Sequence, residues 1–152
     1  MLVSAATFVI VDRVVSRRLE LQVDRRMETQ ARNVLAWLER AGHPNQLSKR
    51  LADVVGARVS FLDPNGTYLG DSLAKASESD AAVQREIAAA MDGRIGRETR
   101  YAEWASQPVR YLAIAGNDGT VVRLGVPIGD ISETQQEIRG LIAVGALASS
   151  LL

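Results

Sequence analysis

Val109-Arg110-Tyr111-Leu112-Ala113-Ile114-Ala115, then Gly116-Asn117-Asp118-Gly119, then Thr120-Val121-Val122-Arg123-Leu124-Gly125-Val126-Pro127 is the stretch that decides the fold. Two runs of strand length, rich in apolar and β-branched residues, flank four residues that tolerate positive φ, which reads as a β-hairpin. A period of two sets Val122, Leu124 and Val126 on one face and Arg123 on the other. Leu112 and Ile114 oppose Tyr111 in the same way. A third run, Arg97 to Trp104, precedes them across Ser106-Gln107-Pro108, so the three form a meander.

Upstream, Ala57 to Leu62 alternates, with Val59 and Phe61 on one face, and Asp63-Pro64-Asn65-Gly66 is a turn signal. Asp63 starts that turn, Pro64 presets φ, and Gly66 accepts φ > 0. Thr67 to Leu69 is the expected returning strand, and Asp71 to Ser79 a polar loop in which Asp71 caps local backbone N–H groups. A helix is expected from about Asp80 to Met91, with Val83, Ile87 and Met91 on one face, stopped by Asp92-Gly93. Nearer the N-terminus, Asp12 to Ala41 contains neither Gly nor Pro, and Val23, Met27, Ala31, Val34, Leu35 and Leu38 form a stripe of helical period. Such a helix extends ~45 Å, longer than a small domain needs. Gly42-His43-Pro44-Asn45 ends it, and a short helix follows with Leu47, Leu51, Val54 and Val55, closed by Gly56. After the meander, Asp130-Ile131-Ser132-Glu133 resembles a capping box and opens an exit helix. The expected fold class is α+β: a long N-terminal helix on a five-stranded antiparallel sheet, helices on both faces, and a C-terminal exit helix.

Composition removes most enzymatic readings. The 152 residues carry 18 basic and 18 acidic side chains, so the electrostatic footprint of a nucleic-acid binder is missing. No Cys means no disulfide, thiol catalysis or Cys-bound zinc, and the one His, His43, excludes multi-His metal sites. His43 sits in a Gly-His-Pro helix break and reads as a loop residue. Ser72 has no base close in sequence and no G-x-S-x-G elbow around it. P-loop, G-x-G-x-x-G and H-E-x-x-H motifs are also missing, and neither cofactor nor metal is expected. Asp63 and Asp71 read better as turn and loop formers than as paired carboxylates for acid–base work or calcium.

The ends are uncharged. Residues 1–11 (MLVSAATFVIV) and 140–152 (GLIAVGALASSLL) carry no charge, and each is shorter than the about 20 apolar residues that span a bilayer. The expected organisation is therefore 1–11 as the end of a truncated first transmembrane helix, 12–138 as an extracytoplasmic domain, and 139–152 as the start of a truncated second one. Arg13, Arg17, Arg18, Arg25 and Arg26 favour the cytoplasm under the positive-inside rule, but that rule loses force for loops beyond ~60 residues. Charge alone leaves orientation open. A soluble module with terminal helices packed on its own core is the alternative.

Asp63-Pro64-Asn65-Gly66, then Leu69-Gly70-Asp71-Ser72, a helix, and Gly93-Arg94-Ile95-Gly96 resemble the extracytoplasmic sensor region of bacterial two-component histidine kinases. Val122-Arg123-Leu124 and Val126-Pro127 fit the same pattern, and the resemblance covers about residues 12–138. It implies a PAS-like fold of the single-Cache kind held between two transmembrane helices in the bacterial membrane. It further implies a dimerising histidine kinase core beyond Leu152, and the Val14–Leu38 helix is expected to pair with its copy in a homodimer. Chemoreceptors and diguanylate cyclases carry similar sensors, so the motif names the domain more firmly than its output.

Sensors of this type keep their pocket on the sheet face away from the long helix, which is where alternation sends Arg123 and Tyr111. Arg suits bidentate capture of a carboxylate or phosphate. The ligand-binding candidates are therefore Arg100, Tyr101, Tyr111 and Arg123, for a small anionic ligand. The register of the third-last strand is open, so Arg100 and Tyr101 need not share that face. Pairing of these Arg residues with Glu98, Glu103 or Asp118 is the competing expectation. The fragment is expected to be a non-catalytic sensor that transmits a signal through its terminal helices.

Overall fold

The structure, a computed structural model, describes residues 2–73 and 84–129, with side chains from Glu20 onward in the first helix. The chain runs α1 (Leu2–Ala41), α2 (Pro44–Val55), β1 (Arg58–Leu62), β2 (Tyr68–Asp71), α3 (Arg85–Met91), β3 (Gly96–Ala102), β4 (Gln107–Ala115) and β5 (Val121–Pro127). The five strands form one sheet in the order β2-β1-β5-β4-β3, and every neighbouring pair is antiparallel. The β1–β2 hairpin and the β3–β4–β5 meander meet where β1 pairs with β5.

Each sheet face is covered by what its alternation demands. Val59, Phe61, Leu112, Ile114, Val122 and Leu124 face Met27, Ala31 and Val34 of α1 and Leu51 of α2 in one apolar core. The α1 residues follow an i, i+4, i+7 spacing, so a single stripe of the helix meets the sheet. On the opposite face Leu62, Ala113 and Val121 pack against Ile87 and Ala90 of α3. Helices on both faces of an antiparallel sheet give the α+β architecture, consistent with a PAS-like domain.

Boundaries shift for identifiable reasons. Gln84 is extended (φ −75, ψ 121), so α3 starts at Arg85 and does not run unbroken from Asp80. The strand β2 continues to Asp71, because Ser60 and Phe61 pair with Asp71 and Gly70 beyond a bulge. The strand β3 stops at Ala102, where Ala105 N–H returns to the Ala102 carbonyl and Ser106 turns at φ 52. Val54 lies off the core stripe and is 72% exposed. Residues 80–83 and the expected exit helix from Asp130 lie outside the described residues. Among the described residues, no helix is long and apolar enough to cross a membrane.

Two glycines position the layers. A Cβ on Gly96 would stand 1.9 Å from the Glu86 carbonyl oxygen, so only Gly lets α3 lie directly on β3. A Cβ on Gly125 would meet the Tyr111 ring at 2.9 Å, and that ring lies across the bare backbone of β5.

Candidate functional site

The α3-facing surface is built from rows that run across the sheet. Asp71, Ser60, Arg123, Ala113 and Gly96 are successive register partners from β2 to β3. The next row on that face is Arg58, Gly125, Tyr111 and Glu98, and Arg100 lies beyond it opposite Val109. Register alone therefore brings Arg58, Arg100, Arg123, Asp71 and Tyr111 to one surface. Helix α3 supplies Glu86, and Gln84 precedes that helix.

The result is a nearly buried polar cluster. Ser60 and Glu86 are 0% exposed, Arg123 3% and Asp71 5%. Arg58 grips Asp71 with Nε to Oδ1 at 3.1 Å and Nη2 to Oδ2 at 2.9 Å. The Ser60 hydroxyl donates to Asp71 Oδ2 at 2.8 Å, and the Leu73 N–H to Oδ1 at 2.8 Å. Arg100 holds Glu86 in the same two-point manner, with Nη1 to Oε2 and Nη2 to Oε1 both at 2.8 Å. Its guanidinium centre stands 4.0 Å over the Tyr111 ring. Arg123 lies between these two pairs: it donates to Gln84 Oε1 and to Ser60 Oγ (3.2 Å). Its carboxylate neighbours are farther off, Glu86 at 3.8 Å and Asp71 at 4.0 Å.

The charges tune one another. Burial alone pushes the Glu86 carboxyl up, but the hydrogen bond from Arg100 and the charges of Arg100 and Arg123 outweigh it and hold it below the usual carboxylate range. Burial pushes the Arg123 guanidinium down, and nearby Arg58 adds to that effect, while Tyr68, Glu86 and Asp71 oppose it. Arg123 stays charged, since guanidinium does not lose its proton in proteins. Every buried side-chain N or O atom among the described residues has a hydrogen-bond partner.

Of the four ligand-binding candidates, Arg100, Tyr111 and Arg123 come together here. Tyr101 does not: it lies on the opposite face of β3 with Arg97 and Thr99 and is 64% exposed. Arg97 and Arg110 lie on that face as well, toward α1. Arg110 meets both Asp24 carboxylate oxygens at 2.9 and 2.8 Å, and Arg97 reaches Glu28 at 3.0 Å and Asp24 at 3.5 Å. The hydrogen bond and charge of Asp24 hold the Arg110 guanidinium above its ordinary range despite opposing burial. Neither Glu103 nor Asp118 forms an ion pair with the strand arginines, whereas Glu98 stands 3.6 Å from Arg100.

The turn and loop residues sit as follows. Asp63 Oδ1 accepts the N–H groups of Asn65 (2.9 Å) and Thr67 (2.8 Å), and Gly66 takes φ 87. Ser72 Oγ accepts the Val59 N–H at 3.0 Å, tying the start of the loop to β1. His43 stands at the N-cap of α2 without a side-chain cap bond.

Sequence reasoning missed Arg58, Ser60, Gln84 and Glu86. For the first two a signal existed: the alternation that buries Val59 and Phe61 against α1 sends Arg58 and Ser60 to the arginine face. For Gln84 and Glu86 it did not, because a single Glu beside Ile87 reads as the wet face of an amphipathic helix.

No protein-family model matches the chain, and comparison with curated proteins gives no match. Among solved structures, the V. cholerae histidine kinase DctB sensor domain superposes with a TM-score of 0.51 at 12% sequence identity. The match takes in 77% of this chain and 59% of that one, so this chain spans less than two thirds of that structure's length. At that identity the likeness shows a shared fold.

Proposed function

We propose that this chain is the non-catalytic, membrane-tethered sensor domain of a two-component histidine kinase, and that its arginine surface receives a small anion. The reading includes an extracytoplasmic residue 12–138 region, pairing of α1 with its copy in a dimer, and transmission of the signal through the terminal helices. The shared fold with a kinase sensor domain supports the sensor role.

One observation carries the anion. Arg123 is 3% exposed, yet both of its carboxylate neighbours are already held bidentately by other arginines, Asp71 by Arg58 and Glu86 by Arg100. Three guanidinium groups thus share two buried carboxylates, and the only further acid within ion-pair reach among the described residues is Glu98, beside Arg100 at 3.6 Å. A positive charge without a carboxylate of its own, in a medium of low dielectric, attracts an anion strongly. The signal acts by binding one arrangement of the domain better than another.

The test is thermal denaturation of the 152-residue chain with a panel of organic acids and phosphates. At least one anion should raise the melting temperature of the wild type. Arg123→Met should weaken that anion at least tenfold, since a charge-assisted contact contributes about 1.5–3 kcal/mol. If no anion shifts the wild-type protein, the cluster is a polar core only and the anion reading fails.

A further inference from the structure

Resting on that reading of the arginine surface, we propose that Glu86 is a resident competitor. Its carboxylate holds the place between Arg100 and Arg123 that a ligand's carboxylate takes, so ligand enters only as α3 gives up its grip on the sheet.

The contacts leave an incoming carboxylate little else to displace. Within the cluster Arg100 donates to Glu86 and Gln84, and Arg123 to Gln84 and Ser60. Two of those three partners, Gln84 and Glu86, belong to α3 and the residue before it. A planar two-point contact with Arg100 is the geometry a free carboxylate would use, and Glu86 already has it at 2.8 Å on both oxygens. Tyr111 floors the site by stacking under Arg100 at 4.0 Å.

Asp71 is the poorer leaving group. It is held by Arg58, the Ser60 hydroxyl and the Leu73 N–H, all from strands or the residues next to them. Glu86, by contrast, finds hydrogen-bond-distance side-chain donors in Arg100 alone among the described residues. It rides on a seven-residue helix anchored by Ile87 and Ala90. Access exists as well: the Arg100 side chain on edge strand β3 is 30% exposed, so solvent reaches the site from that edge.

The physical consequence is a competition inside one molecule. A ligand that binds only after Glu86 has left shows an affinity lowered by the fraction of time the site is self-occupied. Removing or withdrawing the internal carboxylate therefore tightens binding of a free one, and propionate reproduces the end of the Glu side chain.

Propionate binding to the 152-residue chain is measured by calorimetric titration and by thermal denaturation, with propionamide as the neutral control. Glu86→Gln keeps the shape and removes the charge, and should bind propionate at least tenfold more tightly than wild type. In Glu86→Ala, propionate should restore much of the lost melting temperature while propionamide restores none. Glu86→Asp keeps the charge but withdraws it from Arg100, and should fall between wild type and Glu86→Gln, which secures a result should the larger changes unfold the chain. Wild-type binding with no tightening in Glu86→Gln or Glu86→Asp overturns the competitor and leaves the anion site standing. Failure of wild type and every variant to bind propionate or any member of the acid and phosphate panel overturns both.

Discussion

The three guanidinium groups of the α3-facing surface are chemically alike but not equivalent in their surroundings. Arg58 and Arg100 each clamp a carboxylate that is almost fully buried, Asp71 at 5% and Glu86 at 0% exposure. Removing either clamp strands a buried negative charge, which costs about 3–5 kcal/mol. Arg123 is different, because its loss leaves two complete pairs and a balanced cluster. Arg123→Met, similar in length and apolar, should therefore cost less, about 1.5 kcal/mol, the lower end for hydrogen bonds made by a charged group, because its removal also lifts the desolvation penalty of a buried charge. Urea unfolding of Arg58→Met and Arg123→Met compares the two directly, with Arg58→Met expected at the low end of its range because Arg123 stands near enough to Asp71 to take over in part. Equal losses in the two variants would show that Arg123 is as much a structural cation as Arg58, and would remove the imbalance on which the anion site rests.

At the scale of elements, the long helix is fixed to the sheet in two chemically distinct ways. Met27, Ala31 and Val34 bury an apolar stripe against β4 and β5. One turn before Met27, Asp24 is clamped by Arg110 and touched by Arg97, and Glu28 takes the other end of Arg97. Apolar packing is non-directional, whereas a two-point Asp–Arg contact fixes the helix in register along its axis. The clamp is mostly shielded, with side-chain exposures of 13% for Asp24 and 21% for Arg110. A double-mutant cycle on Asp24→Ala and Arg110→Ala should therefore return a coupling of about 1 kcal/mol, at the upper end of the range for exposed pairs. A coupling indistinguishable from zero would mean that α1 is held by its stripe alone and is free to slide. Under the proposed transmission through α1, this register-fixing pair is where a small axial shift would be resisted or released.

For the whole molecule, the proposed placement outside the cytoplasm makes a prediction that uses the fold directly. Asn65 is exposed in the β1–β2 turn, where Asp63 caps two N–H groups. Exposed turns are where inserted reporters are best tolerated. Alkaline phosphatase fused at Asn65 in the full-length protein should be active, and a cytoplasmic reporter at the same point dark. The reverse pattern would reject the extracytoplasmic placement and turn attention to the soluble-module reading.

Local chemistry by itself determined the elements and their faces. Turn residues with positive φ placed the breaks, a period of two divided Val122 and Leu124 from Arg123, and a period near 3.6 found the α1 stripe, because each of these is set by neighbours within a few residues. Only the tertiary structure decided what the polar face contains. Register between distant strands brought Arg58 and Asp71 beside Arg123, and it chose Arg100 over its neighbour Tyr101 for that face, the two being kept apart by the period of two itself. Packing at Gly96 set α3 against β3, so that an acid read as the wet side of a helix became a fully buried partner of Arg100. Side-chain charge is written in the sequence, but whether it meets water or another charge depends on contacts between residues far apart in the chain, and no local period encodes those.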